Sequence, residues 1–439
     1  MLLGHGVGSR GDLPLPLWMF RWAAAIALIA SFVALGALWT HPRLAKAAAG
    51  RPLVGSSDAQ PLPVLRGLRF VGQALALVLF VIALWAGLFG ENSAADNLLP
   101  VTLYVIVWVG ALLIGGLIGD LWRAISPITT LARGVEWLAT RAGSTPAEAP
   151  AGLGHWPAAS GMAVFLFYEL AHPSGSDPRT LAWMLVVHTI VSLTLAWRWG
   201  AGWIADNEPL AVLLSILSRM GFLFATEGEI RARPPMSGLA TMPVLRGTAA
   251  TLLVVLGGTT YDGFSESEAG RDLLGRPTGW GGAALESVGL LVSITVITLF
   301  FALGVIWTSK VTGFSLIKAA DAFTPSLVPI VFGYAIAHYA QLLVDETQTF
   351  VFALSDPGGL GWDLFGGANG EINFNLISVD LIAWIQVLAI LFGHIGAVVV
   401  AHDRSVELFK PGESLRSQFT MLLVMVAYST LGLWLLLNA

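Results

Sequence analysis

The sequence predicts an all-α fold: a polytopic transmembrane helix bundle of about ten spans, forming one integral membrane domain over residues 1–439. Three observations predict it. Only 12% of the 439 residues are charged and 56% are hydrophobic, where a soluble globular chain is about a quarter charged. The mean hydropathy is +0.75, too apolar for a surface that faces water. The apolar residues also gather in runs of about 18–25, the length that a bilayer core requires.

The runs lie near 17–39, 70–90, 100–120, 156–172, 180–200, 244–262, 284–306, 325–347, 378–401 and 417–437. Unpaired backbone groups are not tolerated in lipid, so each run is expected to be a helix. Basic residues set the orientation. Of 23 Lys and Arg, only Arg10, Arg21, Arg179, Arg271 and Arg276 fall on the side that holds both termini. The remainder, from Arg43 to Arg416, fill the opposite loops, so both termini are expected outside, at the outer face of a bacterial inner membrane. The segment "MLLGHGVGSRGDLP" has no apolar stretch before residue 15, so no cleavable signal is expected.

Two loops on the cytoplasmic side are more than connectors. In 121–140, Ile128, Leu131, Val135 and Leu138 share one helical face, and 197–223 follows a similar pattern. Both start at Trp-Arg and pass through a proline before an apolar run. Both are expected to be amphipathic helices lying in the interface. Their similarity hints at an internal repeat over spans three to six. Residues 146–157 read as a Pro/Ala/Gly linker, and 348–377 as a long Gly-rich outer loop with aromatics, a type that often forms lids or binding loops.

Composition narrows the chemistry. A net charge of −5 argues against a nucleic-acid partner. The absence of cysteine removes disulfides, iron–sulfur clusters, thiolate zinc sites and cysteine nucleophiles. No Walker A, GxGxxG or HExxH motif is present.

The polar residues inside the spans are the candidates. In "AIAHYAQLLVDETQ" (335–348) and the residue before it, Tyr334, His338, Gln341 and Asp345 fall within about 60° of one another on a helix. They form a stripe roughly 16 Å long, with Glu346 at its outer mouth. Charged groups at this depth normally face a cavity or a partner. His338, Asp345 and Glu346 are therefore the catalytic candidates. Glu169, Asp262, Asp380, Gln341 and Tyr334 are the cavity candidates, because Glu169, Asp262 and Asp380 mark the same level on other spans. A lone intramembrane histidine is more often polar glue between helices, worth about 1 kcal/mol, and that reading outweighs a functional one for His188 and His394, while His172, before a proline in a turn, reads as solvated. His402, Asp403 and Arg404 read as a helix end at the inner edge.

Imidazole and carboxylate together suit a divalent metal such as Zn, Cu, Mn or Fe, with His338, His394 and His5 as candidate ligands. Such a metal would make bound water acidic. The same groups would equally serve a proton path, and two histidines could hold a b-type haem.

The stretches "HGVGSRGDLPLPLWMF", "LWRAISPI", "YDGFS", "AHYAQLL" and "GHIGAVVVAHDRS" together resemble a group of bacterial, largely actinobacterial, membrane proteins described as fenitrothion-hydrolase-like. The resemblance implies a membrane-bound hydrolase of organophosphate triesters, with a small-molecule substrate. It carries over to His5, Asp12, Asp262, His338, His394, His402 and Asp403, which sit in the matching stretches. Two other readings stand beside it. One is an accessory subunit of a larger membrane redox complex, which the 17 tryptophans fit, though they fit an aromatic belt at the lipid interface as well. The other is a transporter, which calls for inverted repeats and broken helices.

Overall fold

The computed structural model describes residues 17–54, 63–226, 229–275 and 278–436. His5 and Asp12 lie outside the described residues. All ten expected runs are helical, and seven helices are long and apolar enough to cross a membrane. The protein is thus a membrane-embedded helical bundle. In chain order the main helices are α1 (Leu17–Leu38), α2 (Pro63–Phe89), α3 (Leu98–Leu117), α4 (Pro127–Arg141), α5 (Trp156–Leu170), α6 (Pro178–Trp199), α7 (Ala201–Asn207) and α8 (Pro209–Leu217). There follow α9 (Thr248–Glu266), α10 (Gly279–Thr312), α11 (Leu316–Ser355), α12 (Val379–Leu408), α13 (Pro411–Ser417) and α14 (Phe419–Leu436). Three expected spans fall outside the seven. They are those of α1, of α5, which has 15 residues, and of α9, which places Thr259, Thr260 and Asp262 in its second half.

Burial separates lipid-facing helices from the core. The most apolar window of α2 is 17% buried, against 72% for α11, so α11 is the central column. Its 40 residues measure about 60 Å, twice a bilayer core. It crosses α12 at two glycines. A Cβ on Gly333 would lie 2.5 Å from Ala389 O and 2.9 Å from Gly393 Cα. Without a hydrophobic drive between helices in lipid, such small-residue contacts supply the packing.

The segment 197–223 departs from the interfacial helix that its pattern predicts. Ala211, Val212, Leu213, Leu214, Ile216 and Leu217 of α8 are all buried. A helix apolar all round goes inside, not onto an interface. Its start is broken from α7 at Glu208, whose carboxylate accepts from Leu210 N and Ala211 N and lies 3.3 Å from His188 Nε2. Its end is closed by buried Arg233, which donates to Ser218 O at 2.9 Å and Gly221 O at 3.2 Å. Burial pushes that guanidinium down to about 10. α4 has two faces, but not the expected ones: Leu138, expected to share a face with Ile128, is exposed while Ile128 is buried. The helix buries Ile128 and Ala132 against Ala196 and Ile204 and exposes Trp137 and Leu138.

A small antiparallel sheet was not anticipated. β1 (Arg51–Val54), β2 (Leu223–Thr226) and β3 (Glu229–Ala232) run in the order β1-β3-β2 and join the loop after α1 to the hairpin after α8. At the same end, Asp403 is fully buried and accepts from Trp39 Nε1 at 2.8 Å and Arg43 N at 2.7 Å. His402 Nε2 donates to Trp39 O at 3.0 Å. The pair is an internal anchor for α1, not an exposed helix end.

The α11–α12 crossing yields a stability test. Gly333→Leu is expected to lower the Tm of the detergent-purified protein by the equivalent of about 1–3 kcal/mol, the usual cost of overpacking. Gly134→Leu, where a Cβ meets nothing within 4 Å, is expected to leave Tm nearly unchanged.

Candidate functional site

The second half of α9 reads "TTYDG" and brings a carboxylate into the bundle. Asp262 is 5% exposed, so burial demands partners. α11 supplies two in sequence. His338 Nε2 lies 2.8 Å from Asp262 Oδ2, and the Tyr339 hydroxyl donates to the same oxygen at 3.2 Å. The two α11 rings meet edge to face at 4.7 Å.

The cluster extends both ways from Asp262. On one side Tyr334 stacks on His338 at 6.1 Å and on Tyr428 at 6.4 Å. The Tyr334 hydroxyl sits where a Cβ on residue 263 would be 2.8 Å away, so glycine there gives the phenol its place. The Tyr428 hydroxyl shares a 2.6 Å hydrogen bond with Thr260 Oγ1. His394 lies beside Tyr428 at 5.8 Å. Its Nδ1 donates to Ile390 O at 2.8 Å, and its Nε2 is buried with no partner among the described residues.

On the other side stands Glu169, near the end of α5. It shares an electrostatic neighbourhood with Asp262, Tyr339 and Tyr104, with Trp108 beside it. Glu169 Oε2 is fully buried, and the Trp108 indole N–H lies beside both Glu169 and Tyr339. Tyr104 and Trp108 belong to Val101–Gly110, wound as a π-helix, a form that recurs at functional sites. Both rings pack on Phe165, at 5.9 and 5.0 Å. The Tyr104 hydroxyl donates to Gly175 O at 2.8 Å.

Tyr104 also lines a cavity of about 310 Å³, whose walls include Val101, Glu346, Thr349, Phe352 and Asp356. The cavity lies at the end of the bundle that carries the loop after α11; the expected loop 348–377 begins only at Asp356, because α11 continues through Ser355. Its lining holds three carboxylates, Asp96, Glu346 and Asp356, and no Lys, Arg or His. Asp356 accepts from Leu360 N and Gly361 N, and Asp96 accepts from Ser93 Oγ.

The candidates divide accordingly. Tyr334, His338, Asp262 and Glu169 come together in the buried cluster. Glu346 lines the cavity, and Asp345 interacts with Gln341 further along α11. Asp380 does not join them. It is exposed in the first turn of α12, where a carboxylate suits the positive end of the helix dipole. His338 and His394 engage different partners, and no group of three His, Asp or Glu that could hold a metal occurs among the described residues. His5 lies outside them. His188 pairs with Glu208, and His172 stacks on Tyr168 at 4.9 Å. Tyr339, Trp108, Tyr104, Tyr428 and Thr260 escaped the sequence reading. The one available signal was Tyr339, adjacent to His338 in an apolar run.

No family model, no curated protein and no solved structure matches the chain.

Removing the shared acceptor tests the cluster. Asp262→Ala leaves His338 and Tyr339 without it, at about 1–3 kcal/mol for each buried group that loses its partner. The thermal transition of Asp262→Ala is therefore expected well below that of Glu346→Ala, whose side chain borders open space. Equal transitions would show that Asp262 is not the organising acceptor.

Proposed function

We propose that the protein is a ten-span protein of the bacterial inner membrane, with both termini outside, that hydrolyses an uncharged ester, organophosphate triesters among them. The distribution of basic residues supports the orientation, and α4 remains the candidate interfacial helix on the cytoplasmic side. One observation carries the activity. Asp262 is held by His338 and Tyr339 in a buried acid–base cluster, and Tyr104 stands both in the wall of the cavity and beside the cluster's Glu169.

The charge of the cavity favours an uncharged substrate. Three carboxylates without a cationic side chain repel an anion. Hydrolysis converts a neutral ester into an acid that ionises, so the same lining helps to expel the product. In the reaction, water oxygen bonds to the phosphorus or acyl carbon as the bond to the leaving oxygen breaks. The proton lost by water passes to the carboxyl–imidazole set, and a proton returns to the leaving oxygen. Glu169, next to Tyr104, is the member placed to exchange protons with the cavity. Asp262 and His338 hold the balancing charge behind it.

A second reading, proton-coupled transport, draws on the break between α7 and α8 at Glu208 and on Pro325 and Pro329 inside α11. Broken helices and buried titratable chains serve transporters.

The test uses the full chain in phosphatidylcholine nanodiscs and a neutral nitrophenyl phosphotriester, with nitrophenolate release as the readout. General acid–base groups contribute about 10²–10⁴-fold. Glu169→Gln and His338→Gln are therefore each expected to lower kcat/KM by at least about 10²-fold, with the elution profile retained. Absence of turnover by the wild type, with proton-driven uptake in proteoliposomes, would replace hydrolysis by transport.

A further inference from the structure

We propose that the loop from Asp356 to Ser378 is inserted in the bilayer, in the leaflet at its end of the bundle, and forms the lipid-side wall of the cavity. The loop has two faces. Gly359, Ala368, Gly370 and Ile372 line the cavity. Trp362, Leu364, Phe365, Phe374 and Leu376 point away and are exposed, Phe365 at 79% and Phe374 at 67%. A water-facing loop does not ordinarily display that many large apolar side chains together.

Three further observations name lipid as the occupant. The exposed face continues the lipid-facing surface at both ends. Trp362 stacks on Trp85 of α2 at 5.5 Å, between exposed Val81 and Phe89. Phe374 and Leu376 run into exposed Val379, Leu381 and Trp384 of α12. The loop is also folded, not loose: Leu364 N donates to Ser355 O at 3.0 Å, and Pro357 O and Gly358 O accept from Leu98 N and Glu91 N. Finally, two of its carboxylates are met by the loop's own backbone N–H groups, while Asn369, Glu371 and Asn373 stay exposed at its surface. Asp356 accepts from Leu360 N and Gly361 N, and Asp363 accepts from Ala368 N. The loop has no Lys or Arg, so its attraction is to the apolar–headgroup boundary and not to anionic lipid. Trp and Phe favour that boundary, where aromatic belts sit.

The absence of cysteine makes the test direct. Phe365→Cys and, separately, Phe374→Cys in the full chain each give a single thiol for a nitroxide label. In phosphatidylcholine nanodiscs, the label's collisions with oxygen and with a neutral nickel chelate report depth. Leu75→Cys on the lipid face of α2 serves as the lipid reference and Glu148→Cys in the exposed linker as the water reference. The expected result is an oxygen-over-nickel preference at 365 and 374 close to that at 75. A nickel-over-oxygen preference at both, as at 148, overturns the proposal. The readout does not depend on turnover, so it stands or falls separately from the hydrolase reading.

Discussion

Backbone contact between α11 and α12 at Gly333 and Gly393 fixes where the polar residues can go. In lipid, a helix gains little from burying apolar surface against another, and close backbone approach provides the attraction instead. With Gly333 turned to α12, residues Tyr334 and His338 lie about 100° and 140° further round α11. They face α9 and α14. One helix thus presents a small-residue seam to one neighbour and a polar edge to others. Asp262 of α9 meets that edge, and its two α11 bonds join the helices at a depth where water is unavailable to do so.

Helical phase made half of this legible. Period and length located the ten helical runs, and the 100° step placed Tyr334 and His338 on one face, where they stack. Phase says nothing about which helices touch. Asp262 and Asp380 are therefore equivalent cavity candidates in the sequence, although one is buried and the other exposed. Tyr339 sits about 100° from His338 and falls off the stripe, yet an edge-on tyrosine reaches the carboxylate that its neighbour holds. Tyr104 and Trp108 were hidden for another reason. In an apolar span, aromatic residues are indistinguishable from packing or from an interfacial belt. A π-wound segment leaves no pattern in hydropathy.

The same limit explains α8 and the pair His402–Asp403. Amphipathic periodicity in 197–223 suggested a helix lying flat, but the run after Pro209 is apolar on every side, and only the surrounding helices show that it enters the core. His402 and Asp403 lie at the end of an apolar run beside Arg404, the composition of a helix leaving the membrane. Asp403 instead takes bonds from Trp39 and Arg43, residues some 360 positions away. Long-range satisfaction of a carboxylate cannot be read from local composition.

The groups left without partners separate the two buried acidic sites. At Asp403 the carboxylate gathers several donors, as a structural anchor should, because every unmet bond in a low-dielectric interior costs stability. Around Asp262 the arrangement is complete at the centre and incomplete at its edges. Glu169 Oε2 and His394 Nε2 are buried short of close hydrogen-bond partners among the described residues. Selection for stability alone would replace such groups, since an apolar substitute of similar volume is often neutral or stabilising at buried ionic sites. Glu169 lies on the side that Tyr104 shares with the cavity, and Trp108 stands beside it. Buried polar groups left short of partners between a closed cluster and an open cavity are poor glue. This asymmetry sets the Asp262 cluster apart from the inner anchor built from the same residue types.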